Sequence, residues 1–386
     1  MPAMTVNELA VAVSEKENLP AQLEEILSFN RRALFVGGCP KSGTTLLLSL
    51  LDGHPELAVF PRETHFLEAA AEHRSLGANY RAQLDRMLAR LDPRHHDGLR
   101  FEESRPGGRF ENSERNQSDF ARFSELADNF IRQPWMNDSL VLSETVRAYM
   151  MTVQRDWRDC VHWVEKTPTN VAHIDDLFRL FPDAKVIHVL RDPRAVFASR
   201  CRRLIARYGS YTKAHRLLRE WNQSTRQLKR FEQRSNHLVV RYEDLVRDSG
   251  TVLAKICRFA GIEFIPEMFE PTLAGQPWPG NPTFCGRFDH IDPRPVDQWR
   301  SELTADEIWW IELHCREGML IAGYEPETDA GFSFSRWARR LPGESRRGYL
   351  RARKSSLCQW AGLLQDCRYD LPAMEGPAKS FSPSLQ

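Results

Sequence analysis

Short apolar runs alternate with longer stretches of helical periodicity along most of this chain. Runs at Ala33 to Val36, Leu57 to Phe60, Val161 to Val164, Lys185 to Leu190 and Leu238 to Tyr242 are bounded by polar, Gly or Pro residues. They have the length of strands buried on both faces of a sheet. Between them lie helical patterns at Thr45 to Leu51, Asn170 to Leu180, Arg194 to Tyr208 and Ala214 to Phe231. Strands separated by helices imply a parallel sheet with crossovers, so the fold class is α/β with about five strands. A polar lead-in over 1–30 carries one short helix near Leu19 to Phe29, where Leu23, Ile26 and Leu27 recur at helical spacing.

Residues 68–160 interrupt the rhythm with polar stretches around helical segments at Tyr80 to Leu91 and Phe120 to Ile131. An insertion of this length is expected to form a lid or an acceptor-binding surface. The Pro-, Gly- and aromatic-rich stretch from Pro266 to Pro295 reads as an ordered loop, followed by a helix over Thr304 to Leu320. The expected organisation is an N-terminal extension (1–30), a domain over 31–325 and a basic C-terminal extension (326–386). Over 336–354, Arg336, Arg339, Arg340, Arg346, Arg347, Arg351, Arg353 and Lys354 face only Glu344.

Charge narrows the classes. Lys plus Arg total 53 against 52 Asp plus Glu, so any anion site is local and no nucleic-acid partner is expected. The eight cysteines contain no CxxC pair, which argues against a zinc cluster or disulfide framework. Acids among the apolar positions of the first thirty residues, and the lack of a run of about 18 apolar residues, argue against a signal peptide or membrane span. A cytoplasmic location is expected.

The most informative segment is Gly37-Gly38-Cys39-Pro40-Lys41-Ser42-Gly43-Thr44-Thr45-Leu46, placed between an apolar strand and an apolar helix. Glycines let the backbone approach an anion, and the first helical N–H groups and the helix dipole add donors and positive potential there. A nucleoside triphosphate loop reads GxxxxGK[ST]; here Gly38 and Gly43 keep the spacing, but Thr44 stands at the lysine position and the cation has moved to Lys41. That shift favours a phosphate bearing a different transferring group.

These residues resemble the sulfotransferases that use 3′-phosphoadenosine 5′-phosphosulfate (PAPS), whose 5′-phosphosulfate loop reads P-[RK]-S-G-T-[TS]; Pro40 to Thr45 fits at every position. The family's second element, a strand followed by R-D-P and then a serine that hold the 3′-phosphate, is matched by Val186 to Leu190, Arg191-Asp192-Pro193 and Ser199. The resemblance, over about Arg32 to Tyr324, implies a three-layer P-loop-type domain with a helical insertion, PAPS as donor and adenosine 3′,5′-bisphosphate (PAP) as product. It implies no metal, and an acceptor hydroxyl on a carbohydrate, peptide or small natural product.

Phe60-Pro61-Arg62-Glu63-Thr64-His65-Phe66 is similar to the segment that supplies the general base in heparan sulfate and tyrosylprotein sulfotransferases, which implies Glu63 as base. His65 is the competing base, since cytosolic sulfotransferases use histidine. Lys166, in Glu165-Lys166-Thr167-Pro168, matches the family lysine that approaches the sulfate, beside Lys41. The implied cofactor contacts are Lys41, Ser42, Gly43, Thr44, Thr45, Arg191, Ser199 and Tyr242. In the C-terminal covering loop, tyrosylprotein sulfotransferases place a catalytic serine; none stands between Phe284 and Ile291, and Arg287 or Thr283 are the substitutes.

Blander readings stand beside these. Lys166 neutralises Glu165, Arg191 and Asp192 form a local pair capping a helix, and Trp135, Trp157, Trp278 and Phe284 are either acceptor-stacking or core. At the level of function, a P-loop nucleotide kinase and a nucleotide-binding module without catalysis are the alternatives. The oligomeric state is open, a homodimer being one option.

Overall fold

The computed structural model describes residues 21–76, 80–94, 114–208, 212–278, 280 and 291–328. Five strands, β1 (Ala33–Gly38), β2 (Leu57–Val59), β3 (His162–Lys166), β4 (Lys185–Leu190) and β5 (His237–Arg241), form one sheet. Their order is β2-β3-β1-β4-β5, and every neighbouring pair is parallel. Each strand coincides within a few residues with an apolar run read from the sequence.

The helices are α1 (Ala21–Arg31), α2 (Thr44–Leu51), α3 (Phe66–Leu76), α4 (Tyr80–Leu91), α5 (Glu114–Ile131), α6 (Asp138–Thr152) and α7 (Ile174–Leu180). There follow α8 (Pro193–Tyr208), α9 (Thr212–Phe231), α10 (Tyr242–Arg247), α11 (Ser249–Ala260), α12 (Trp299–Glu302) and α13 (Ala305–Ile321). A capping box explains the start of α13: Thr304 Oγ1 accepts from the Glu307 N–H while Glu307 reaches back to the Thr304 N–H.

Strand alternation divides the core into layers. Ala33 and Phe35, with Trp163 and Val186, face one side and pack with residues of α1 and α3 to α7, while Leu34 and Val36, with Val164 and Ile187, meet α2 and α11 on the other. Helices on both faces of a parallel sheet make a three-layer α/β domain. The chain leaves β1 toward β2 and β3, then crosses to β4 and β5 on the opposite flank. The crevice opens where that direction reverses, beyond the C-terminal end of β1.

Within 68–160, α4 and α5 fall on the expected segments, but α6 is a core helix in which every residue except Met151 is buried. Two of its charges, Glu144 and Arg147, are buried as a pair, with Arg147 lying 3.8 Å over the Phe130 ring. Trp157 is likewise core, 5% exposed and edge-on to Phe29 at 5.0 Å, so the acceptor-stacking reading fails for it. No described helix is long and apolar enough to cross a membrane. Arg287, Thr283, Phe284 and the basic stretch after Ser335 lie outside the described residues.

Candidate active site

The loop between β1 and α2 closes by a turn in which the Ser42 N–H donates to the Cys39 carbonyl at 3.0 Å. Two of its residues are left-handed: Gly43 (φ 97°) and Lys41 (φ 78°), the latter an uncommon conformation for a residue with a side chain. Gly43 is required twice over, because a Cβ there would also stand 2.3 Å from Cδ2 of Tyr242. The first intrahelical bond of α2 runs from the Leu47 N–H to the Gly43 carbonyl. The N–H groups of Thr44, Thr45 and Leu46 are thereby directed into the crevice without helical partners. Ser42 is fully buried, and its Oγ has no hydrogen-bond partner.

Arg191 emerges from the end of β4 and is 5% exposed. It donates from one terminal nitrogen to the Lys41 carbonyl (3.1 Å) and from the other to the Pro295 carbonyl (3.0 Å), with its guanidinium 4.2 Å over the Tyr242 ring. Nε is buried and unpartnered. The local-pair reading is corrected: Asp192 caps α8 through the Arg194 N–H and pairs with the Arg194 side chain, which also reaches Glu312. Arg191 is instead turned toward the loop, where it holds the strained Lys41 peptide. Ser199 is buried on α8, less than two helical turns beyond Pro193.

The third group comes from β2 and β3. Glu63, just past β2, accepts from Lys166 Nζ at 2.6 Å, and the same ammonium lies 3.4 Å from Thr45 Oγ1. Lys166 is 4% exposed, so α2, β2 and β3 converge on one buried cation. Lys166 faces Glu63 and not its neighbour Glu165, because successive strand residues point to opposite faces. His65 Nε2 approaches the second Glu63 oxygen at 3.5 Å, and Nδ1 approaches Glu68 at 3.2 Å. Burial pushes the Glu63 carboxyl upward, but Lys166, with help from His65, holds it down to about 2. Hydrogen bonding to Glu63 raises His65 above its ordinary value, against burial and with Glu68 assisting.

Lys41, Ser42, Gly43, Arg191 and Tyr242 therefore meet at the end of β1, with Thr45, Glu63, His65 and Lys166 on its β3 side. Sequence reasoning overlooked Glu68, the Pro295 carbonyl and the network around Glu165. The available signal for Glu165 was a carboxylate directly at the end of the Val161 to Val164 run.

The sulfotransferase family profile matches residues 33–266, more than half of the chain. The chain belongs to the sulfotransferase family. Among curated relatives, carbohydrate sulfotransferase 2 of Mus musculus and of Homo sapiens are each 25% identical over 191 residues, 37% of this chain and 35% of theirs. The chain thus spans about a third of the length of these relatives. Among solved structures, the sulfotransferase domain of the Synechococcus PCC 7002 olefin synthase is 24% identical, with 71% of this chain and 88% of that one covered and a TM-score of 0.42. The sulfotransferase domain of the curacin biosynthetic pathway is 20% identical, with 76% and 98% covered and a TM-score of 0.44.

Proposed function

We propose that the protein transfers a sulfuryl group from PAPS to an acceptor hydroxyl, with Glu63 as general base. The observation that carries this reading is the convergence on the phosphate loop of a buried lysine and a carboxylate 103 residues apart in sequence, joined at 2.6 Å. The fit of a doubly phosphorylated nucleotide is supported by two buried polar atoms without protein partners, Ser42 Oγ and Arg191 Nε. Buried polar groups are rarely left so unless something else satisfies them.

In this reading the donor supplies the sulfuryl group, and the chain supplies position, charge and a proton acceptor. The N–H groups opening α2, with Ser42, Thr44 and Thr45, hold the 5′ end; Arg191, Ser199 and Tyr242 hold the 3′-phosphate. As the acceptor oxygen bonds sulfur in line, the bond from sulfur to the 5′-phosphate oxygen breaks, PAP leaves with that electron pair, and Glu63 takes the acceptor's proton. Lys41 and Lys166 face the oxygens on which charge builds. An anionic sulfuryl group also competes with Glu63 for Lys166. Drawing that ammonium away raises the Glu63 pKa from about 2 and makes it a better base when the donor is in place. His65, between Glu63 and Glu68, supports the base.

The curated relatives are named carbohydrate sulfotransferases, which puts sugar hydroxyls first among acceptors. The test is a panel of sugars, peptides and phenols incubated with sulfur-labelled PAPS. Label should move to at least one acceptor, and Glu63→Gln should cut turnover by about 10²–10⁴-fold while leaving PAP affinity intact. A variant that turns over like the wild type removes Glu63 from the mechanism.

A further inference from the structure

Glu165 is fully buried, and among the described residues no cation lies within ion-pair distance of it. A carboxylate in that position is costly unless hydrogen bonds repay its lost hydration. Here they do. Oε1 accepts from the Thr64 N–H (3.2 Å), the Thr64 hydroxyl (2.8 Å) and the Thr167 hydroxyl (2.6 Å), and Oε2 accepts from the Asn170 amide (2.7 Å).

Both hydroxyls are used a second time. Thr64 Oγ1 accepts from the Phe66 N–H at 3.2 Å and Thr167 Oγ1 accepts from the His65 N–H at 3.3 Å. One carboxylate therefore fixes, directly or through one hydroxyl, three consecutive backbone N–H groups: those of Thr64, His65 and Phe66. The middle one is strained, His65 having φ 50°. Glu63 immediately precedes this turn. Strand alternation then gives β3 two hands: Lys166 grips the Glu63 side chain from one face while Glu165 grips the following backbone from the other.

We propose that Glu165 is a positioning residue for the reaction, holding the Glu63 to Phe66 turn so that Glu63 and His65 meet Lys166 and the acceptor in register. This rests on the sulfotransferase reading for its chemistry, but the geometry it asserts is measurable without turnover. His65 is the reporter. Glu63 from the segment after β2 and Glu68 from α3 face its ring; Lys166 on β3 faces Glu63, and Arg90 on α4 lies 3.2 Å from Glu68. If the turn moves, the ring leaves both carboxylates.

The experiment compares wild type with Glu165→Ala, Glu165→Gln and Thr64→Val by three readouts. These are the NMR titration of the His65 ring, calorimetric binding of PAP, and kcat and donor KM with labelled PAPS and the best acceptor of the panel. Gln keeps an oxygen toward the two threonines and can turn its amide toward a flipped Asn170, so it should rescue. Glu165→Ala should bring the His65 titration down toward its ordinary value and lower kcat on the order of 10–100-fold, with PAP affinity and donor KM within about twofold. Glu165→Gln should restore both.

A Glu165→Ala protein with unchanged His65 titration and kcat overturns the proposal. So does a parallel loss of fold stability, PAP affinity and kcat that Gln does not rescue, since that marks a merely structural group. If Glu165→Ala does not fold, Thr64→Val carries the test: it removes one hydroxyl from the bracket and should move His65 and kcat the same way, by less. Wild type that fails to bind PAP contradicts the sulfotransferase reading alone, and the His65 titrations still decide whether Glu165 holds the turn.

Discussion

At Glu63 two opposing effects meet, and their balance sets what the residue can do. Burial favours the neutral acid, but the Lys166 ammonium at 2.6 Å and the His65 ring favour the carboxylate and win. Lys166→Ala should therefore raise the Glu63 pKa, read by carboxyl-carbon NMR. The folded pKa of Glu63 lies below its unfolded value, so its contribution to stability is complete above about pH 4.5 and disappears as pH falls toward 2. Lys166→Ala should flatten that part of the acid-denaturation curve. For His65 the sign is opposite: its folded pKa is raised, so its contribution is complete below about pH 6.5 and is lost as pH rises through the folded value. Arg191 makes a separate prediction. Arg191→Lys keeps the charge but cannot bridge the Lys41 and Pro295 carbonyls, and PAP affinity by calorimetry should fall by roughly 1.5–3 kcal/mol, on the order of 10–100-fold.

At the scale of elements, the phosphate loop depends on a backbone that only a few residues accept. Gly43→Ala combines a positive φ with a contact of 2.3 Å to the Tyr242 ring, so the loop must move away from α10. The expected outcome is loss of PAP binding at least as severe as for Arg191→Lys, with a lowered melting temperature. What the sequence made legible at this scale follows from locality. The loop and the Arg191 segment are contiguous motifs at strand ends, and the five strands show as apolar runs, even β5 at the sheet edge, which is mostly half-buried. Helix α6 was not legible because it is buried on nearly all sides and has no polar face to mark its period. The pairing of Glu63 with Lys166 was equally hidden, since it spans 103 residues and depends on β2 and β3 lying side by side. Glu165 reads in sequence as a charge beside a charge; only the pleat shows that it and Lys166 serve opposite faces.

Over the whole molecule, the reversal of chain direction at β1 explains why residues from four separate segments share one crevice. Groups near Lys41, Glu63, Lys166 and Arg191 are spread over 150 residues of chain, yet each sits at or just beyond the end of a neighbouring strand. A nucleotide bridging the ends of β1 and β4, as proposed, would bind the folded chain and not the unfolded one. At 100 times its dissociation constant it should stabilise the fold by about 2.7 kcal/mol, a shift visible in thermal melts. The most direct test of the central claim is calorimetric titration of the wild-type chain with PAP and with ADP, each with and without Mg²⁺. The account predicts that PAP binds more tightly than ADP, that Mg²⁺ does not change this order, and that Arg191→Lys weakens PAP more than ADP. Tighter binding of ADP, or PAP binding that requires Mg²⁺, would contradict it.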